Sequence, residues 1–387
     1  MHDVVVIGAG PAGLVSARVL ASLGHDVTVL EEHATIGVPV HCTGLLGLDA
    51  FAEFDLPRGS ILGVADRARF VAADGSSVVV DADSVHAAVV DRAEFDQSLA
   101  RASRLAGARL RSAARVRTVS VQPDRVSISV DGDASPLHAR ACIVACGANY
   151  RFNRQLGLGV PRTFVQSAQL ERSFDGPDGV EVHLGSEVAP KGFAWLVPFS
   201  RDGRPCNRIG LMCQSRAAVR FRAFGRRMRA RFGVEHDEWP DPRLKILPLG
   251  PVARTYGSRV LAVGDAAGLV KPTTGGGIYY SLLSGRMAAE TLDGALRQDD
   301  LSEARLRSYE MEWRARLGAE IRTGLAFRTL AARMNDRAID ALIELARVDG
   351  LIPLLRQTAD FNWHRRSALA LLRHAQFRRI LLSSIWT

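Results

Sequence analysis

The 387-residue chain is short of several things, and each shortage removes a class of protein. No apolar run approaches the roughly 18 residues of a membrane span, so no transmembrane helix is expected. The five cysteines form no C-x-x-C pair and no metal-ligand spacing, so neither a disulfide framework nor a metal site is expected. Their odd number fits a reduced, cytoplasmic setting. Lysine occurs only at 191, 245 and 271, so arginine carries nearly all of the positive charge behind the net +9. No motif that reads nucleic acid accompanies this charge, and a nucleic-acid partner is set aside. The sequence has no internal repeat, no low-complexity tract and only one G-x-G-x-x-G. The apolar start reads as a strand rather than a signal peptide. What remains, at 47% hydrophobic and 24% charged residues, is a globular chain long enough for two or three subdomains.

Two Gly-rich stretches carry most of the information. The first, VVVIGAGPAG at 4–13, sets Gly8, Gly10 and Gly13 in dinucleotide-turn spacing between an apolar strand and a helical pattern from Leu14 to Leu23. A second strand, 26–30, ends in Glu31, 18 residues after Gly13. This is the strand–turn–helix–strand–acid order of a dinucleotide site. Gly8 makes the turn, Gly10 admits the pyrophosphate, Gly13 lets helix and strand pack, and Glu31 takes ribose hydroxyls. The second stretch, RVLAVGDAAGLVKPTTGGGI at 259–278, reads as a buried strand ending in Gly264-Asp265. A Gly-rich turn then leads into a helix from Ile278 to Leu292. Such a helix start offers free N–H groups to an anion.

Between the two, the pattern alternates. Strands are expected at 64–71 and 77–80, a helix at 92–106, an antiparallel meander over 109–119 and 125–130, and a buried strand at 141–145. Residues 151–250 read as strands and turns with one Arg-rich helix near 215–232. From 279 onward the pattern is helical, broken near Gly350 and Pro353.

Taken together, the two Gly-rich stretches resemble single-Rossmann flavoproteins of the aromatic-hydroxylase type, which bind FAD. Three further segments narrow the resemblance to geranylgeranyl reductases, which use FAD to saturate isoprenoid double bonds. PKGFAWLVP at 190–198 is similar to that family's P-x-x-[YF]-x-W-x-F-P. VPVHCTGLLG at 38–47 resembles its segment with a cysteine beside the flavin. VVDRAEFDQSLA at 89–100 resembles its D-R-x-x-F-D helix start. The resemblance covers roughly 1–295. It implies cofactor contact at Gly8, Gly10, Ala12, Gly13, Glu31, Cys42, Arg92, Val116, Gly264, Asp265, Gly275, Gly276, Gly277 and Ile278, with Asp265 toward the ribityl chain and Arg92 toward the phosphates. It implies a substrate wall at Phe193, Trp195 and Pro198. The sequence departs from the family at Val197, where an aromatic is usual, at Phe193, where tyrosine is common, and at Gly276, where an acid often stands.

The residues also admit plainer readings. Cys42 either serves the flavin as a proton or electron carrier or fills space. Arg92 either meets phosphate or pairs with Asp91 or Glu94. Tyr279 and Tyr280 face the ring or the core. Cys142 and Cys146 read as buried small residues on one strand. His41 reads as a loop histidine with a local hydrogen bond.

The expectation is an α/β protein in three parts: an FAD-binding Rossmann-type domain from 1–150 with 251–295, an antiparallel substrate layer at 151–250, and a helical region at 296–387. The implied activity is reduction of C=C bonds in a polyprenyl chain. Electrons come from outside, from NAD(P)H in a transient encounter or from a ferredoxin-like protein. An alternative is a monooxygenase or halogenase, since F-x-W-x-V-P is one aromatic from the halogenase W-x-W-x-I-P. The three lysines lack a halogenase-like context, however. A non-catalytic flavin-binding protein is the other alternative. The last 27 residues hold Arg365, Arg366, Arg373, Arg378 and Arg379 and no acid. With Leu369, Leu371, Leu372, Ile380, Leu381, Leu382 and Trp386 interleaved, they suit either a helix on an anionic membrane surface or one docked on the protein.

Overall fold

The computed structural model describes residues 1–81, 87–236, 238–348 and 350–384. The opening strand His2–Ile7 is buried and central. Parallel to it run Leu137–Val144 on one side and Val27–Leu30 on the other. Val260–Ala262 extends the sheet past Leu137–Val144, and Arg109–Arg111 extends it past Val27–Leu30, both in parallel. Arg109–Arg111 therefore belongs to the parallel sheet. The antiparallel meander expected from 109 starts only at Val116–Val121, which pairs with Val126–Val130. The first helix, Pro11–Ser22, starts with its proline in the first turn, where a missing N–H costs nothing. It lies between Arg92–Leu105 and Ile278–Arg297, which complete one helical layer.

The second sheet has seven strands in the order Arg243–Pro248, Phe164–Arg172, Arg204–Cys213, Phe193–Arg201, Val180–His183, Arg67–Val71, Ser77–Asp81. The last two come from well before residue 151, so the antiparallel layer draws on two separated stretches. Val180–His183 pairs with Arg67–Val71 in parallel, and the other pairings are antiparallel. A small sheet of Leu45–Gly47, Ala87–Val90 and Ile61–Ala65 joins the two layers. Arg208 ties this junction: it is 1% exposed, and its guanidinium donates to the carbonyls of Thr43 (2.6 Å) and Val90 (2.8 Å) and pairs with Glu171.

The helical region begins with Glu303–Ala331, whose Trp313 and Tyr309 dock on the first sheet. Trp313 donates to the Thr255 hydroxyl (2.8 Å) and Tyr309 to the Ala262 carbonyl (3.0 Å). Asp336–Val348, Leu351–Thr358, Arg365–Arg373 and Ala375–Ser383 follow. Gly350, in the left-handed region, does separate two helices. Pro353 does not break the next one; it sits in the first turn of Leu351–Thr358, where the N–H that proline lacks would have no helical partner. The C-terminal stretch is two short helices rather than one, and Trp386 lies outside the described residues. Phe377 and Leu381 are buried against Leu345, Ala346 and Leu351.

Candidate active site

A cavity of about 1150 Å³ runs from the Gly-rich turn of the first sheet, across one face of the second sheet, to the C-terminal helices. At the dinucleotide end, two glycines do different jobs. A Cβ on Gly13 would overlap the Gly8 carbonyl and press on Val6 and Ala145, so Gly13 serves helix–strand packing. A Cβ on Gly10 would meet no protein atom within 4 Å. Gly10 also has an ordinary extended backbone (φ −82°, ψ 177°), so neither strain nor packing calls for glycine there. The side chain it lacks would occupy the cavity. An open position on the cavity, at a helix N-terminus, fits a dinucleotide pyrophosphate.

Glu31 ends Val27–Leu30 and lines the cavity. It accepts from the Ala9 N–H and the His33 N–H, both at 2.9 Å, so the acid braces the turn as well as facing the cavity. At the other strand end, Tyr150 donates to the Asp265 carbonyl (2.7 Å) and Asn153 to that of Ala266 (2.8 Å). This leaves the Asp265 carboxylate on the cavity, 3.3 Å from Lys245 Nζ. Ala12, Val116, Gly275, Gly276, Gly277 and Ile278 line the same cavity. Gly264 does not; it packs against Ser281 and Ala12 beneath the turn.

Cys42 and Arg92 meet on the cavity wall. Asp91 caps Arg92–Leu105 by accepting from the Ala93 and Glu94 N–H groups. Arg92 pairs with neither of the acids expected from the sequence. Its guanidinium reaches one turn on to Asp96, at 2.8 and 2.9 Å. Burial works against charge on Arg92, but the Asp96 carboxylate, with the Cys42 sulfur beside it, holds its pKa above the ordinary guanidinium value. Burial pushes Asp96 upward while Arg92 pulls it down. The Gly44 N–H, in turn, points at Cys42 Sγ (3.4 Å). His41 lines the cavity too, with its pKa lowered by burial and by Lys245 nearby. Its Nδ1 is buried without a partner, in place of the local hydrogen bond expected.

The second sheet turns one face to the cavity. Ala68 and Phe70, Val78 and Val80, Val180 and Val182, Ser167 and Gln169, Lys245 and Leu247 all line it, each pair two residues apart on its own strand. Phe193, Trp195 and Val197 continue the rule. Pro198, expected in this wall, falls on the opposite face, and Val197 takes the position. Trp195 packs against its cross-strand partner Gly210, where any side chain would strike the indole. The wall is closed by Ile339, Leu342, Ile343, Ala346, Leu351, Ile352, Leu355 and Phe377 from the C-terminal helices. This contribution was not foreseen from the sequence, although Asp336–Val348 is strongly amphipathic. All three lysines also line the cavity. Tyr279 and Tyr280 do not: both are buried, and Tyr279 donates to Glu53 (2.7 Å). Cys142 is fully buried in its strand. Cys146 lies beyond the strand end on the cavity wall, donating to the Asn149 carbonyl.

The lycopene cyclase protein family matches residues 3–338. An uncharacterised protein of Methanocaldococcus jannaschii is 27% identical over 376 residues, covering 96% of this chain and 94% of its own length. Digeranylgeranylglycerophospholipid reductase 1 of Methanopyrus kandleri is 30% identical over 374 residues, covering 90% of this chain and 98% of its own. Among solved structures, a geranylgeranyl bacteriochlorophyll reductase-like protein of Thermoplasma acidophilum superposes with a TM-score of 0.83 at 22% identity, covering 99% of each chain. The halogenase PltM, in complex with phloroglucinol and FAD, shares the fold at a TM-score of 0.66 and 17% identity, over 99% of this chain and 85% of that one. The chain therefore belongs to the lycopene cyclase protein family, and it belongs with the geranylgeranyl reductases that its motifs resemble.

Proposed function

We propose that this chain is an FAD-dependent reductase that saturates C=C bonds of a polyprenyl chain carried on a lipid, a diphosphate or a quinone. One observation carries the reading: a single cavity joins the open Gly10 turn to a long apolar wall. Its volume exceeds the roughly 300–1,000 Å³ of ordinary ligand pockets, which suits a dinucleotide and a hydrocarbon chain together. Relatives that match it nearly end to end are named for reduction of digeranylgeranyl lipids. FAD, when bound, supplies hydride for one alkene carbon after taking electrons from a donor. The chain's own residues do the rest. Gly8, Gly10, Pro11, Ala12 and Glu31 seat the dinucleotide. Phe193, Trp195 and Val197, with the C-terminal helices, hold the alkene and exclude water. Cys42 Sγ, beside Arg92, holds a proton at the cavity wall for the second alkene carbon.

The electron donor is external, because only one dinucleotide fingerprint is present. The outward face of Ala375–Ser383 presents Arg378, Arg379 and Leu382, which suits contact with an anionic membrane surface where prenyl lipids reside. No helix among the described residues is long and apolar enough to cross a membrane. Anaerobic incubation of the dithionite-reduced protein with a panel of prenyl lipids tests the reading. A gain of about two mass units per saturated bond is expected, by the stoichiometry of hydride plus proton. Oxygen-dependent hydroxylation or halogenation in place of saturation refutes it.

A further inference from the structure

Lys271 sits beside the Gly-rich turn toward which a dinucleotide leading from Glu31 past Gly10 extends, so the inference rests on the reading above. The residue is 5% exposed, and its side chain lines the cavity. Its backbone closes the turn at both ends: the Lys271 N–H donates to Gly276 O (3.0 Å) and the Gly275 N–H to Lys271 O (2.8 Å). The side chain folds over the same turn. A Cβ on Gly276 would lie 3.1 Å from Lys271 Cε and 3.7 Å from Nζ. Nζ donates to the Phe361 carbonyl (2.6 Å) and lies 4.4 Å from the centre of the Phe361 ring.

The surrounding acids are committed elsewhere. Glu320 accepts from the His364 and Arg365 N–H groups, Asp360 from those of Asn362 and Trp363, and Asp49 from Asn362 Nδ2. Burial pulls the Lys271 pKa down to about 8, with Asp360, Asp49 and Glu320 acting against it through space. His364 is no competitor for the proton, since burial and the Lys271 charge hold its pKa down at about 3. Arg328 spends its donors on the Pro272, Thr273 and Lys191 carbonyls, and across the turn Asp265 pairs with Lys245.

We infer that Lys271 is the counter-charge for the reduced cofactor: its ammonium, with the free N–H groups that start Ile278–Arg297, receives the negative charge the ring gains on reduction. The balance is simple. Two electrons and one proton added to bound FAD leave one net negative charge, and the ammonium neutralises it without giving up a proton. A neighbouring anion raises a lysine pKa. Above about pH 8, where a neutral Lys271 is expected before reduction, reduction would draw a second proton onto Nζ.

The test is a spectroelectrochemical titration of the full-length, FAD-loaded protein, without lipid, on both sides of that pH. Wild type is expected to take up one proton per two electrons below it and two above. Lys271→Met is expected to lose the bend and to show a lower potential. Gly276→Glu, which sets a carboxylate beside Nζ, is expected to lower the potential while keeping the lysine. A one-proton dependence running straight through pH 8 in wild type overturns the assignment, whatever the variants do. So do equal potentials in all three proteins. Failure of wild type to retain FAD overturns the functional reading instead, so the two failures are distinguishable.

Discussion

Replacing Gly10 by valine isolates the ligand-facing side of the first turn from its structural side. The Gly10 backbone is extended and its Cβ position is open, so the unliganded protein accepts the new side chain without a clash. The isopropyl group then stands where the pyrophosphate must approach, pushing the phosphates off the helix N-terminus. Charge-assisted hydrogen bonds contribute about 1.5–3 kcal/mol each. Losing two of them costs about 3–6 kcal/mol, a weakening of FAD binding on the order of 10²- to 10⁴-fold at 1.4 kcal/mol per decade. Gly13→Ala is the control, because its Cβ meets the Gly8 carbonyl whether or not ligand is present. Overpacking of this kind costs about 1–3 kcal/mol of fold stability. FAD affinity by fluorescence quenching and apoprotein stability by urea denaturation separate the two. Gly10→Val is expected to lose affinity at unchanged apoprotein midpoint, and Gly13→Ala to lower the midpoint itself. Full FAD affinity in Gly10→Val would refute the assignment of the pyrophosphate position.

Cys42→Ser keeps the Arg92–Asp96 pair and is expected to bind FAD normally while slowing alkene reduction; unchanged single-turnover rates reduce Cys42 to packing. Ala346→Phe places a ring in the far wall of the cavity and is expected to lower the number of double bonds reduced per chain, read by product mass, without changing FAD affinity. The Glu181 carboxyl is pushed upward by burial but held down at about 2 by His183 and Arg231, so its folded pKa lies below its unfolded value. Its contribution to stability is therefore complete above the unfolded pKa and lost as pH falls toward 2, and Glu181→Gln is expected to flatten the acid limb of a stability–pH curve.

The parts of the site that could be read in the sequence are those built from neighbours in the chain. The Gly8–Gly13 turn, Glu31 at the next strand end and Asp265 before its Gly-rich helix are local patterns. The misreadings come from partners far away in sequence. Arg109–Arg111 is three residues long and has no period of its own; only its pairing with Val27–Leu30 makes it a parallel strand. The strands at 67–71 and 77–81 were visible, but not their membership of the sheet carrying Phe193 and Trp195. Val197 was within reach, since alternation from Phe193 places it, and not Pro198, on the cavity face. The Arg92–Asp96 spacing, one helical turn, was likewise available. The convergence of all three lysines on one cavity had no sequence signal, because three segments separated by strands and helices bring them there.

The small apolar cluster of Phe377, Leu381, Leu345, Ala346 and Leu351 is separate from the main cores, yet its helices form one wall of the cavity. A segment docked on a satellite cluster of its own, outside the main cores, opens more readily than the sheets beneath it. A polyprenyl chain filling the cavity would add its own apolar surface to that patch and so glue the wall shut. Occupancy and closure then reinforce each other, and the tighter the hold on the hydrocarbon, the slower the saturated product can leave.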